Sequence, residues 1–249
     1  MHVPIDRSFY ESAYARDWRA PECRATRFTK MWYQSFLTHL LPIVAIGPGS
    51  RVLEVGSGYG YLAPFVIALG AQYFGLDLAA SAVAQIPALN DCHGLVANGC
   101  ELPFSDHRFD VVICMEVIEH LENPDLLVSE CRRVASAGAR LVFSCPSYMN
   151  LFLPLKWLAD LGVPWFKAYL VRQPVDRTTT ALYLLRLLET HRLRILARRA
   201  VRLAPPLFER MEKRLPWVND LIFKVEDRFG ERFPLRFLGL HTIYVAMPV

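Results

Sequence analysis

The sequence predicts a single doubly wound α/β domain, and three observations carry that expectation. Short β-branched and apolar runs alternate with helical runs from residue 51 onward, the pattern of strands joined by right-handed helical crossovers into a mostly parallel sheet. The run Phe109 to Met115 is almost wholly apolar, as a strand buried on both faces must be. The 249 residues are 53% hydrophobic and 21% charged, enough for a large core and too little charge for disorder.

The elements follow in order. Residues 1–46 read as an N-terminal helical cap: between Arg24 and Leu41, Phe28, Met31, Trp32, Phe36 and Leu40 recur at spacings of three and four, and Gly47-Pro48-Gly49 then breaks the helix. The core, residues 47–146, opens with a strand at Arg51 to Val55, a glycine loop, and a helix from Tyr61 to Leu69 closed by Gly70. A second strand is expected over Ala71 to Leu78, a helix over Ala79 to Leu89, a short third strand over Gly94 to Ala97 and a fourth over Phe109 to Met115. Pro124 to Val134 reads as a helix and Ala139 to Cys145 as the fifth strand. An aromatic insertion, residues 147–177, carries Tyr148, Phe152, Trp157, Trp165, Phe166 and Tyr169 among few charges. In the final part, 178–249, a helix is expected over Thr178 to Glu189, a strand over Leu193 to Val201, a second insertion at about 207–229 and a last strand over Leu238 to Met247.

Six scattered cysteines, Cys23, Cys92, Cys100, Cys114, Cys131 and Cys145, form no Cys-x-x-Cys pair, which favours a reduced, cytoplasmic setting. The charged N-terminus argues against a secretory leader, and no apolar run approaches the roughly 18 residues of a spanning helix. The net charge of +4 is concentrated: nine basic and three acidic residues lie between Arg186 and Arg214. Because these arginines alternate with apolar residues, a solvated face of a late helix and an edge strand explains them better than an anionic partner does.

Gly56, Gly58 and Gly60 lie where the first strand turns into a helix, a place that calls for positive φ and for backbone approaching a ligand closely. Their spacing at first, third and fifth positions differs from the first, third and sixth of a dinucleotide loop, where Tyr61 stands instead. Asp77, at the end of the second strand, can accept hydrogen bonds from two ribose hydroxyls or cap the next helix.

Four segments in order, Val-Leu-Glu-Val-Gly-Ser-Gly-Tyr-Gly from Val52, Gly-Leu-Asp-Leu from Gly75, Glu-Leu-Pro-Phe-Ser-Asp from Glu101 and Glu-Val-Ile-Glu-His-Leu from Glu116, resemble the class I S-adenosylmethionine-dependent methyltransferases. The similarity is to the small-molecule group that includes the ubiquinone-biosynthesis O-methyltransferases, and it runs from about Arg51 to Ser147. It implies a Rossmann-like seven-stranded sheet of order 3-2-1-4-5-7-6 with the seventh strand antiparallel. It further implies S-adenosyl-L-methionine as cofactor, with Gly56, Ser57, Gly58 and Gly60 around its methionyl part, Glu54 toward its amino group, Asp77 on the ribose and Leu78 on the adenine. Asn98 stands where the family usually has Asp; its amide carbonyl can still accept from the adenine amine, without charge assistance, beside the Gly99 backbone.

After the fourth strand, Met115 and Glu116 border the cofactor. A helix from about Glu116 would place Glu116, Glu119 and His120 on one face. Such a set can cap the helix and tie loops, supply His120 as a general base, or hold a divalent metal, and no fourth ligand is evident. The expectation is therefore a methyltransferase of a small-molecule or lipid-linked acceptor, acting most naturally at oxygen, with the aromatic insertion as a lid that can also touch a membrane surface. A non-catalytic cofactor-binding protein is the alternative. An RNA methyltransferase is disfavoured, since no aromatic-proline catalytic tetrapeptide follows the fourth strand and no RNA-binding module is present.

Overall fold

The structure is a computed structural model that describes residues 40–147, 179–201 and 241–249, with isolated positions between 217 and 239. The N-terminal cap before Leu40, the aromatic insertion and nearly all of the second insertion lie outside the described residues.

Labels below count the described elements. The chain runs α1 (Leu41–Val44), β1 (Arg51–Val55), α2 (Ala63–Ala68), β2 (Gln72–Asp77), α3 (Ala80–Val83), β3 (Cys92–Val96), β4 (Phe109–Met115), a 3₁₀ turn (Ile118–His120), α4 (Pro124–Val134), β5 (Ala135–Pro146), α5 (Ala181–Thr190), β6 (Leu193–Val201) and β7 (His241–Pro248). The seven strands form one sheet in the order β3-β2-β1-β4-β5-β7-β6. β7 pairs antiparallel with both β5 and β6, and the other neighbours pair in parallel. The predicted sheet is thus the observed one.

Alternation within the strands sorts the core into two layers. On one face Leu53, Val55, Val112, Cys114, Leu141, Phe143 and Tyr244 pack against Leu127, Val128 and Cys131 of α4 and Leu184 and Leu188 of α5. On the other, Val52, Tyr73, Val111, Ile113, Met115, Val142 and Ile243 pack with Leu40, Val44, Leu62 and Val66. The two helices on the first face are stopped and started by their own residues. α4 begins on Pro124, carries Asp125 in its first turn and Arg132 and Arg133 in its last, all favourable to the helix dipole. Thr180 caps α5 by accepting from the Tyr183 amide at 3.0 Å.

Several boundaries differ from the sequence expectation. The helix expected over Ala79 to Leu89 is only Ala80–Val83, because Pro87 cannot continue a hydrogen-bonded helix and the residues before it turn. The helix after the glycine loop starts at Ala63, two residues late, since Gly60 and Tyr61 belong to the turn. β5 starts four residues early at Ala135, directly from α4, and β7 starts at His241. β3 covers Cys92–Val96. Among the described residues no helix is long and apolar enough to cross a membrane.

Of the basic cluster, Arg194 is exposed and Arg198 half-buried on β6, the sheet's edge, while Arg199 is buried. Arg198 lies over the Tyr244 ring and donates to its hydroxyl at 3.1 Å. Arg202, Arg210, Lys213 and Arg214 fall outside the described residues.

Candidate cofactor and acceptor site

The carboxyl ends of β1, β2, β4 and β5 meet at one edge of the sheet, where a parallel order that reverses beside β1 leaves a crevice. The glycine loop crosses it. Gly56, Gly58 and Gly60 have φ of 74°, 51° and 67°, the left-handed region expected of them. The amides of Gly56 and Ser57 both donate to the Leu76 carbonyl, at 2.7 and 2.9 Å, which ties the loop to β2. A Cβ on Gly56 would lie 2.3 Å from Val117 Cγ2, so the loop sits directly against the residue after Glu116.

Asp77 is 7% exposed and closes the same turn from the β2 side. Its Oδ2 accepts from the Gly58 amide at 2.8 Å and its Oδ1 from the Ala79 amide at 2.9 Å. Both roles foreseen for this residue are compatible, because each carboxylate oxygen has a second lone pair. Leu78 beside it is half-buried.

Glu54 is 3% exposed on β1, and the Tyr73 hydroxyl donates to its Oε2. Burial pushes the Glu54 carboxyl up to about 8; Tyr73 opposes the rise and the Asp77 charge adds to it. The partner residue in register with Glu54 is Gly75, where a Cβ would come within 2.9 Å of the Tyr73 hydroxyl and of Ile86. Gly75 therefore leaves the room in which the Tyr73–Glu54 pair forms. The sequence did not single out Tyr73, and it marked Gly75 only as the start of a matching segment, because their relation to Glu54 depends on strand register.

Asn98 and Gly99 follow β3 in a tight turn. Asn98 Oδ1 accepts from the Cys100 amide at 3.0 Å. A Cβ on Gly99 would approach Val55 at 2.8 Å and Leu127 at 3.1 Å, so close packing demands glycine there. The next segment is pinned by Arg133 of α4, which donates to the carbonyls of Leu102 and Phe104, to Asp106 and to Glu130. Glu130 also accepts from the Leu102 amide at 2.8 Å.

The end of β4 corrects the expected helix. Met115 is the last strand residue, Glu116 has φ of 58°, and only the short turn Ile118–His120 follows. The left-handed Glu116 reverses the chain, so Glu116 does not share a helix face with Glu119 and His120. Glu119 is buried, and its Oε1 lies 3.6 Å from His120 Nε2. Glu116 turns instead toward β5 and β7. Its amide donates to Ser144 Oγ at 3.0 Å, the Ser144 hydroxyl donates to Glu116 Oε1 at 2.7 Å, and His241 Nδ1 lies 2.8 Å from Glu116 Oε2. Burial works against the ionised carboxyl, yet His241, Ser144 and the nearby His120 hold it below the usual carboxylate range. Among the described residues no group of three or more His, Cys, Asp or Glu side chains converges as metal ligands. Ser144 and His241 were missed in the sequence; His241 stands 125 positions beyond Glu116 and carries no motif.

The residues present suit a nucleoside-linked, amino-acid-bearing ligand. The Ser57 hydroxyl is buried in the loop without a hydrogen-bond partner among the described residues. The Glu54 carboxyl, which can give up its proton to face an ammonium, and the Asp77 carboxylate, which can accept from hydroxyl donors, flank that loop.

Comparison with known proteins agrees with this geometry. Residues 53–143 match the family described as a methyltransferase domain. A ubiquinone biosynthesis O-methyltransferase of Albidiferax ferrireducens is 35% identical over 122 residues, 44% of this chain and 44% of the relative. One from Burkholderia thailandensis is 32% identical over 136 residues, 52% of this chain and 57% of its own length. The chain thus spans about half the length of the curated relatives it matches. Among solved structures, magnesium protoporphyrin IX methyltransferase from Synechocystis with bound S-adenosylhomocysteine superimposes with a TM-score of 0.63 at 16% identity, covering 98% of this chain and 97% of that one. A methyltransferase from Aquifex aeolicus gives 0.55 at 15% identity, covering 89% and 98%. Both share the fold.

Proposed function

We propose that this chain, whose residues 53–143 match a methyltransferase domain, is a class I S-adenosylmethionine-dependent methyltransferase that transfers a methyl group to an oxygen of a small-molecule or lipid-linked acceptor. The observation that carries the reading is the junction of the glycine loop with Asp77: positive φ at all three glycines, a buried Ser57 hydroxyl without a partner among the described residues, and a carboxylate fixed at the rim. When bound, S-adenosylmethionine supplies a methyl group already activated on a sulfonium. The protein's own tasks are to orient the two reactants, exclude water and take up a proton where the acceptor must lose one.

In this reading the backbone of Gly56 to Gly60 and Ser57 hold the methionyl part, and Glu54 receives the amino group. Asp77 takes the ribose hydroxyls on its remaining lone pairs, while Leu78, Asn98 and Gly99 border the adenine. Met115 and Glu116 wall the methyl side. His120 stands near enough to the β4 end to be one candidate base. Oxygen is favoured as the acceptor atom by the relatives named for O-methylation in ubiquinone biosynthesis and by the imidazoles and carboxylates at the strand ends. The soluble face of a membrane is a natural place to meet a lipid-linked acceptor.

The test is labelled methyl transfer from S-adenosylmethionine to catechol and to a lipid extract, followed by mass analysis. Gain of one oxygen-bound methyl is expected. Transfer to nitrogen or carbon alone, or to nothing, contradicts the proposal.

A further inference from the structure

The His241–Glu116–Ser144 cluster joins Glu116 of the fourth motif to two residues that no motif contains, and it lies at the same edge of the sheet as the glycine loop. Three elements bring it together. β7 runs antiparallel to β5, so His241 at the start of β7 pairs with Pro146 at the end of β5, and Ser144 lies on the same face of the sheet as His241. Glu116, turned back by its left-handed φ, places one carboxylate oxygen on the Ser144 hydroxyl and the other on His241. Val117, the next residue, packs on Gly56 of the cofactor loop, which sets the cluster beside the methionyl end of the crevice.

The chemistry of the arrangement is directional. Glu116, held as a carboxylate, can only accept, so His241 carries a proton on Nδ1, and in the neutral imidazole the basic lone pair is then the one on Nε2. The Ser144 hydroxyl and its reciprocal bond from the Glu116 amide prevent the carboxylate from rotating away. Near this pair stand His120 from the β4 end, itself beside Glu119, and on β6 Val201 opposite His241 with the buried Arg199 two residues along; Cys145 of β5 alternates to the other face of the sheet. His241 and Glu116 side chains are 17% and 30% exposed, enough to meet a ligand and too little to be surface groups.

We propose that His241, oriented by Glu116, is the proton acceptor for a weakly acidic hydroxyl of the methyl acceptor, which makes phenols and alcohols the substrate class of this site. The assignment rests on the methyl-transfer reading above. In the step, the acceptor O–H proton passes to His241 Nε2 as the oxygen forms its bond to the methyl carbon. The carbon–sulfur bond breaks with its electron pair left on sulfur, and the imidazolium is stabilised by Glu116.

The experiment uses the full chain and His241→Asn, whose amide still donates to Glu116 but takes no proton. Its probes are catechol, which needs a base, and the more acidic 4-nitrocatechol, which does not. Transfer to catechol is expected to fall about 100-fold, while transfer to 4-nitrocatechol changes less than about threefold and S-adenosylhomocysteine affinity by calorimetry stays within about threefold. Nitrogen NMR of histidine-labelled protein without ligands is expected to show His241 as the Nδ1–H tautomer, a preference lost in Glu116→Gln. Equal loss on both probes, retention on both, or an Nε2–H tautomer overturns the proposal. So does a wild type that binds S-adenosylhomocysteine and methylates neither probe. A wild type that fails to bind S-adenosylhomocysteine overturns the methyl-transfer reading and this assignment with it.

Discussion

Gly56 and Val117 are in mutual contact across the crevice: a Cβ on the glycine would lie 2.3 Å from the valine Cγ2. The glycine has φ of 74° as well, so a side chain there meets both a steric and a conformational penalty. Gly56→Ala is expected to lower stability by roughly 2–4 kcal/mol, read from urea unfolding. Adding Val117→Ala should return the steric share, about 1–2 kcal/mol, and leave the rest. A double variant no better than the single one would show that the contact is not the cause.

Glu54 makes stability and ligand binding depend on pH in a defined sense. Its folded-state carboxyl titrates at about 8 against an ordinary 4.5, so the folded chain keeps a proton that the unfolded chain has lost. That contribution to stability is complete below about 4.5, declines as pH rises toward 8, and is gone above it. The melting temperature of the unliganded wild type is expected to fall more steeply over that window than that of Glu54→Gln. A cationic amino group bound against Glu54 would expel the proton. Calorimetry of S-adenosylhomocysteine near pH 7, in two buffers of different ionisation enthalpy, should therefore report net proton release from the carboxyl, smaller in Glu54→Gln. Equal slopes and equal proton counts would contradict this account of Glu54.

Arg133 ties α4 to the 102–106 segment through two carbonyls and the Asp106 carboxylate, and within α4 it pairs with Glu130. Arg133→Met keeps the stem and removes every one of those bonds. A loss of about 2 kcal/mol is expected, discounted because the side chain is partly exposed, together with weaker S-adenosylhomocysteine binding as the Asn98–Phe104 turn loosens. Unfolding and calorimetry on the same sample check both, and a variant unchanged in both would refute the pinning role.

The mostly parallel core and the glycine loop could be read in the sequence because their signals are local, whereas the strand order was implied only by the family resemblance. The almost unbroken run Phe109 to Met115 is buried as expected, and the three loop glycines all take positive φ. Signals that depend on register were silent. Tyr73 reaches Glu54 only because β2 pairs with β1 so that Gly75 stands opposite Glu54, and His241 reaches Glu116 only because β7 inserts antiparallel beside β5. The helix expected from Glu116 failed for a different reason. Three- and four-residue spacing at Glu116, Glu119 and His120 fits a helix, but the residue that starts it takes a left-handed conformation to satisfy Ser144. The same Glu116 then belongs to a cluster across the sheet.

The central claim is that Asp77 and the glycine loop form an S-adenosylmethionine site, and calorimetric titration of S-adenosylhomocysteine into wild type and Asp77→Ala tests it most directly. Binding by the wild type, with affinity reduced at least about tenfold, or 1.4 kcal/mol, in the variant, is the predicted result. Circular dichroism that shows the variant folded is the accompanying control. No binding by the folded wild type, or equal binding by both proteins, would contradict the account.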